Sequence, residues 1–137
     1  MDWKLELIVV PATDLDRAKA FYTEQVGFEV LVDHSAGEDF RVVQLIPSGS
    51  ACAIALMKQP ERAGTVLGLH LVVTDIDAAR SELHQRGVAV GELYHFGAQG
   101  QQPGRDPSRR DYNSFFSFED PDGNGWLVQE VAREAAS

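Results

Sequence analysis

A strand-helix-strand pattern occurs twice in this chain, and the repetition constrains its fold more than any other feature. The first copy runs from Val9-Val10-Pro11-Ala12 through Thr13-Asp14-Leu15-Asp16-Arg17-Ala18-Lys19-Ala20-Phe21-Tyr22 to Gly27-Phe28-Glu29-Val30. The second runs from His70-Leu71-Val72-Val73 through Thr74-Asp75-Ile76-Asp77-Ala78-Ala79-Arg80 to Gly87-Val88. At an offset of 61 positions Thr13, Asp14, Asp16 and Ala18 meet Thr74, Asp75, Asp77 and Ala79, and Gly27 meets Gly87 after a gap of one. Two copies of one supersecondary unit predict a single domain, residues 1–137, built of two modules at about 3–58 and 66–132.

Each copy has a physical reading. Alternating and β-branched apolar residues predict a strand, and Thr followed three positions later by an acid predicts a capping box that opens a helix. Leu15, Ala18, Phe21 and Tyr22 in one copy, and Ile76, Ala79 and Leu83 in the other, recur at helical spacing and form one apolar stripe. The glycine behind each stripe suits a left-handed helix stop.

Extended along the chain, the same reasoning predicts strands over Leu5–Pro11, Phe28–His34, Phe40–Ile46 and Ala51–Met57 around a helix from Asp14 to about Gln25. The second module is predicted as strands Leu67–Val73, Val88–His95, Tyr112–Phe118 and Gly125–Val131 around a helix from Asp75 to Arg86. Both modules therefore read βαβββ. Pro47-Ser48-Gly49-Ser50 and Asp120-Pro121-Asp122-Gly123-Asn124 are turns by composition. The segment from Gly97 to Arg110 is too polar and glycine-rich for a core and reads as an inserted loop, either a lid or binding loop or a plain insertion.

Composition narrows the partners. With 12 Lys and Arg against 21 Asp and Glu, the net charge of -9 repels phosphate backbones, so nucleic acid is not expected as a partner. No apolar run reaches the roughly 20 residues of a membrane span, and Met1-Asp2-Trp3-Lys4 lacks the regions of a signal peptide. A cytoplasmic protein without a membrane partner is the expectation. The single Cys52 reads as a small apolar strand residue.

In order and spacing, Thr13 to Tyr22 followed by Val26-Gly27-Phe28, the echo at Val73 to Ala79, and Asp120-Pro121-Asp122-Gly123-Asn124 before the last strand resemble the vicinal oxygen chelate superfamily. That superfamily groups glyoxalase I, bleomycin resistance proteins, fosfomycin resistance proteins and extradiol dioxygenases. The resemblance covers nearly the whole chain. It implies an α+β fold of two tandem βαβββ modules whose curved mixed sheet surrounds a cavity, with helices outside and assembly as a homodimer. In metal-using members the ligands fall seven residues before the helix-opening Asp and three after the Asn of the final turn. Here those positions are Leu7, Gly68 and Leu127, and the first-module counterpart of Leu127 is Ala53. None carries a donor atom, so no metal or other cofactor is expected.

Strand alternation then divides the side chains between two faces. Leu7, Val9, Ala53, Ala55, Met57, Gly68, His70, Leu127 and Gln129 share the face predicted to meet a ligand. Ile8, Val10, Cys52, Ile54, Leu56, Leu69, Leu71, Val73, Trp126 and Val128 form an apolar face toward the helices. The predicted ligand contacts are His70 and Gln129, with Leu7, Leu127 and Met57 beside them and Tyr94, Tyr112 and Phe116 as aromatic wall. His70 is also the candidate catalytic residue, as a general acid or base; the alternative for His70 and Gln129 is a pair of satisfied polar side chains. Arg105, Arg109 and Arg110 read either as an anion clamp or as a solvated loop. The resulting expectation is a metal-independent binder of a small, largely apolar organic molecule, for sequestration, resistance or sensing. The alternative is a lyase, isomerase or dioxygenase with non-standard metal ligands or His70 as acid or base.

Overall fold

The computed structural model describes residues 1–132; the last five residues of the predicted domain lie outside the described residues. The chain divides into two compact units, Met1–Val66 with Asp120–Asn124, and Leu67–Glu119 with the residues from Gly125. The architecture is α+β, with two mixed sheets and few helices.

The first unit runs β1 (Leu7–Ala12), α1 (Leu15–Ala20) continuing into a wider π-helical turn (Phe21–Val26), β2 (Glu29–Ala36), β3 (Phe40–Ile46) and β4 (Ala53–Lys58). Its sheet has the order β1-β4-β3-β2, with β1 parallel to β4 and the other pairs antiparallel. Val10, Val43, Leu45, Ile54 and Leu56 are buried on the side of Leu15, Ala18 and Tyr22, the predicted helix stripe. Gly27 closes the helical segment at φ 94°, in the left-handed region that suits glycine. The predicted capping box is corrected. Asp14, not Thr13, caps α1 by accepting from the Arg17 amide at 3.1 Å, and Asp75 does the same for the Ala78 amide of the second helix.

Thr13 is otherwise engaged. Its amide and hydroxyl donate to Asp122 of the Asp120–Asn124 turn, at 3.3 and 2.6 Å. That turn is the polar hub of the first unit. Buried Asp120 accepts from the Tyr22 hydroxyl at 2.7 Å, while the Asn124 side chain donates to the Pro11 carbonyl and accepts from the Gly64 amide. A Cβ on Gly64 would run into the Asp122 carbonyl oxygen, so this approach requires glycine.

The second unit runs β5 (Leu69–Val73), α2 (Ile76–Gln85), β6 (Tyr94–Gly97), β7 (Gly100–Pro103), β8 (Ser114–Glu119) and β9 (Gly125–Glu130). Its strand order is β5-β9-β8-β6-β7, with β5 parallel to β9 and the remaining pairs antiparallel. Leu69, Phe116, Phe118, Trp126 and Val128 are buried on the helix side with Ile76 and Leu83. Two sequence expectations change here. The strand predicted over Val88–His95 forms only a bridge from Val90 to Phe118 before β6 begins. Gly91 explains this, because its carbonyl accepts from Arg80 Nε at 2.8 Å and is lost to the ladder. The inserted segment, in turn, contributes β7, paired with β6 across a tight turn at Gly97–Gly100.

Candidate functional site

The period of two along a strand and the observed register decide which side chains share the helix-free face of the second sheet. His70 lies opposite Leu127, and Leu127 opposite Ser117. Val72 lies opposite Gln129, Gln129 opposite Phe115, and Phe115 opposite Tyr94. The face is thus one row of His70, Leu127 and Ser117 beside a second row of Val72, Gln129, Phe115 and Tyr94. Phe96, two residues beyond Tyr94, extends it.

Three rings on this face form a cluster. Tyr94 and Phe115 stack with centroids 5.3 Å apart, and Phe96 meets them edge-on at 6.0 and 5.9 Å. Phe96 is 49% exposed and Val72 47%, so the surface is apolar and open. Gln129 is half-buried and lies directly opposite Phe115 in the ladder, so its carboxamide belongs to the same face as the rings. His70 is exposed, and its Nδ1 lies 2.5 Å from the Gly68 carbonyl oxygen. In the neutral ring that contact makes Nδ1 the protonated nitrogen and leaves Nε2 as an acceptor.

The structure places His70, Leu127 and Gln129 on one face as the alternation predicts, and Tyr94 on the same face beyond β8. It does not bring Phe116 or Tyr112 to them. Phe116 is fully buried on the helix side, and its neighbour Phe115 occupies the open face instead. Tyr112 precedes β8 in a left-handed conformation (φ 63°) and is exposed. Leu7 and Met57 lie on the helix-free face of the first unit's own sheet, with Val9, Ala53 and Ala55. By the same register that face also carries Val42, Gln44, Val32 and His34.

The expected metal positions can be tested on the same register. Leu7 and Ala53 are partners, whereas Leu127 pairs with His70 rather than Gly68. The two-residue difference keeps the same face and yields one donor, His70 Nε2, among otherwise apolar positions. A divalent ion needs several N, O or S ligands together, so these residues do not fit one. Among the described residues, no group of three or more His, Cys, Asp or Glu side chains is close enough to hold a metal.

The three loop arginines are each engaged by a carboxylate, while residues 107–112, Arg109 and Arg110 among them, stay exposed to solvent. Arg105 pairs with Asp77 at 2.7 Å, Arg109 with Glu130 at 2.7 Å, and Arg110 with Asp106 at 2.8 Å. Glu130, placed by alternation on the helix side, is fully buried and accepts from the Ile76 amide at the start of α2. Hydrogen bonding from Arg109, opposed by burial, holds its carboxyl below the usual range. Asp106, also buried, is held well below that range by Arg110 and Asn113.

An open groove of about 430 Å³ lies in the first unit among Thr13–Asp16, Glu38–Arg41 and Lys58. Its central cation, Arg41, is bound at 2.9 Å by Asp33 and at 2.7 Å by Asp16. None of the predicted ligand residues lines it.

Residues 4–128 match the family model described as the Glyoxalase/Bleomycin resistance protein/Dioxygenase superfamily. Among solved structures, TnmS3, an antibiotic binding protein from Streptomyces sp. CB03234, is 32% identical with a TM-score of 0.74, the match covering 94% of this chain and 96% of that one. A glyoxalase/bleomycin resistance protein from the same source is 33% identical with a TM-score of 0.70, over 92% and 99% of the two chains. The YetH protein of Bacillus subtilis (strain 168) is 26% identical over 129 residues, 90% of this chain and 94% of its own.

Proposed function

Because the chain belongs to the glyoxalase/bleomycin resistance protein/dioxygenase superfamily, we propose that it binds a small, flat, largely apolar organic molecule without a metal. Its task would be sequestration, resistance or sensing. The observation that carries this reading is the open ring cluster of Tyr94, Phe96 and Phe115 on one face with Gln129, Leu127 and His70. Aromatic rings recognise flat ligands by stacking, and a carboxamide beside them can donate to a carbonyl or accept from an N–H on the same molecule. The likeness to an antibiotic binding protein at 32% identity supports binding as the activity. The absence of donor atoms at Leu7, Ala53, Gly68 and Leu127 supports independence from metal.

Equilibrium dialysis against planar aromatic compounds tests the proposal. Phe115→Ala is expected to weaken a retained compound about tenfold, the effect of losing one ring stack. Equal retention by Phe115→Ala and wild type would remove the face from the site. Metal analysis of protein purified without chelator addresses the second half, where a stoichiometric divalent ion would overturn metal independence.

The reading includes a homodimer in the cytoplasm. The sheet-edge strands β1 and β2 leave Ile8, Val9, Val30, Leu31 and Val32 exposed, apolar surface that a second copy can cover. Light scattering at micromolar concentration checks it, and a monomer mass would exclude it.

One observation favours a second reading, an enzyme of the lyase, isomerase or dioxygenase type. The Gly68 carbonyl accepts from Nδ1 of the exposed His70 ring, which in the neutral form leaves Nε2 as the nitrogen able to act as a base. Conversion of a retained compound that disappears in His70→Gln would establish this chemistry. Unchanged conversion in that variant would exclude His70.

A further inference from the structure

The ring cluster depends on how β6 is held, and the strand ladder holds only half of it. β6 and β8 pair at Tyr94 with Phe115 and at His95 with Ser114. The next pair in that register is Phe96 with Asn113, where the backbone of β8 has already turned away. Tyr112 is left-handed and donates its amide to the Glu130 carbonyl at 2.9 Å. Phe96 therefore loses its backbone partner on that side.

The Asn113 side chain fills the place. Its Oδ1 accepts from the Phe96 amide at 3.1 Å, and its Nδ2 donates to the Phe96 carbonyl at 2.9 Å. One edge of a carboxamide offers a donor and an acceptor side by side, as the N–H and C=O of a facing strand residue would. The second Nδ2 hydrogen goes to Asp106 Oδ2 at 2.9 Å. Asp106 is itself fixed: its amide donates to the Ser114 hydroxyl, and its carboxylate accepts from the Ser108 amide and Arg110 Nε. All the hydrogens and the oxygen of the Asn113 carboxamide are thus engaged, so its orientation is defined.

We infer that Asn113 is a positioning residue of the ligand site, acting through Phe96, and that the polar 104–113 segment braces the aromatic face. The inference rests on the proposal that this face binds a flat aromatic molecule. Asn113 need not touch that molecule; it holds the ring that does.

A mutant cycle read by binding of acridone, a neutral planar tricycle with one carbonyl and one N–H, tests it. Phe96→Ala is expected to weaken acridone about tenfold and Asn113→Ala about fivefold, with the double variant no weaker than Phe96→Ala. A general loss of structure would instead multiply the two effects, and that result overturns the inference. Asn113→Asp keeps the acceptor for the Phe96 amide and removes both donors, so a loss of about threefold is expected where Asn113→Ala folds poorly. Unchanged binding in a folded Asn113→Asp also overturns it. If Phe115→Ala and Phe96→Ala weaken acridone but Asn113→Ala does not, only the role of Asn113 falls. If wild type fails to bind acridone, or neither phenylalanine matters, the flat-ligand site falls and the role of Asn113 with it.

Discussion

The two helices begin with the same four-residue signal, Thr-Asp-x-Asp, yet the structure secures their starts by different means. At α1, Asp14 caps the first turn, and the Asp122 carboxylate takes the Thr13 amide, the Thr13 hydroxyl and Arg17. At α2, Asp75 caps in the same way, but the Ile76 amide goes to Glu130, which Arg109 also holds. Thr13 is tethered by its hydroxyl, whereas the second start is tied from the 105–110 loop through Arg105 and Arg109. Both helix starts receive a carboxylate, as their unpaired amides and positive dipole end favour. Both carboxylates are buried and each meets a partly exposed arginine; what differs is that Asp122 shares itself between Thr13 and one bond from Arg17, whereas Glu130 takes the Ile76 amide of α2 itself and two bonds from Arg109.

That difference can be broken in order of expected effect. Glu130→Ala strips a fully buried carboxylate from the Ile76 amide and from Arg109, and a loss of about 3 kcal/mol in chemical denaturation is expected. Asp122→Ala removes the two bonds from Thr13 and the single, longer bond from Arg17, and is expected to cost about 1.5 kcal/mol. Equal losses would erase the distinction. The pH dependence sharpens it. The Glu130 carboxyl is held below its ordinary value, so its contribution is complete above the unfolded carboxylate range, roughly pH 4.3, and is lost as pH falls through the folded value. Thermal unfolding from about pH 5 downward should therefore be less steep in Glu130→Gln than in wild type.

Tyr22→Phe removes one buried hydroxyl from Asp120 and should cost about 1 kcal/mol by denaturation. The smallest effect is expected from Arg105→Ala, about 0.5 kcal/mol and screened by salt, because Arg105 and Asp77 are partly exposed. A loss as large as that of Glu130→Ala would make the loop, rather than Glu130, the anchor of α2.

Much of the fold was legible because its information is local. Alternation in β1, β4, β5 and β9 assigned faces correctly, with Val10, Ile54, Leu56, Leu69, Trp126 and Val128 buried toward the helices. The same rule failed on β8. Ser114-Phe115-Phe116-Ser117-Phe118 breaks strict alternation, and Ser114 is buried because its hydroxyl accepts from the Asp106 amide. Without that bond the parity of the two phenylalanines is ambiguous, so the sequence places Phe116 toward the ligand where the structure places Phe115. The 97–110 segment reads as a loop for a similar reason. Its polar residues have no periodicity, and the partners that order them, Asp77, Glu130 and Asn113, lie elsewhere in sequence. The Asp120–Asn124 signal was legible as a turn but not as a hub, since nothing local points to Pro11, Tyr22 or Gly64.

That hub gives the chain an order of events. The first unit takes residues 120–124 into its own structure, and the bond from Asn124 to the Pro11 carbonyl spans 113 positions. Synthesised from its amino end, the chain presents β1 to β4 and α1 long before Asp120, Asp122 and Asn124 exist. Until then the Tyr22 hydroxyl lacks Asp120, and the Gly64 amide lacks Asn124. Such distant closures slow folding. On the ribosome, the first unit is therefore the part that waits for the Asp120–Asn124 turn.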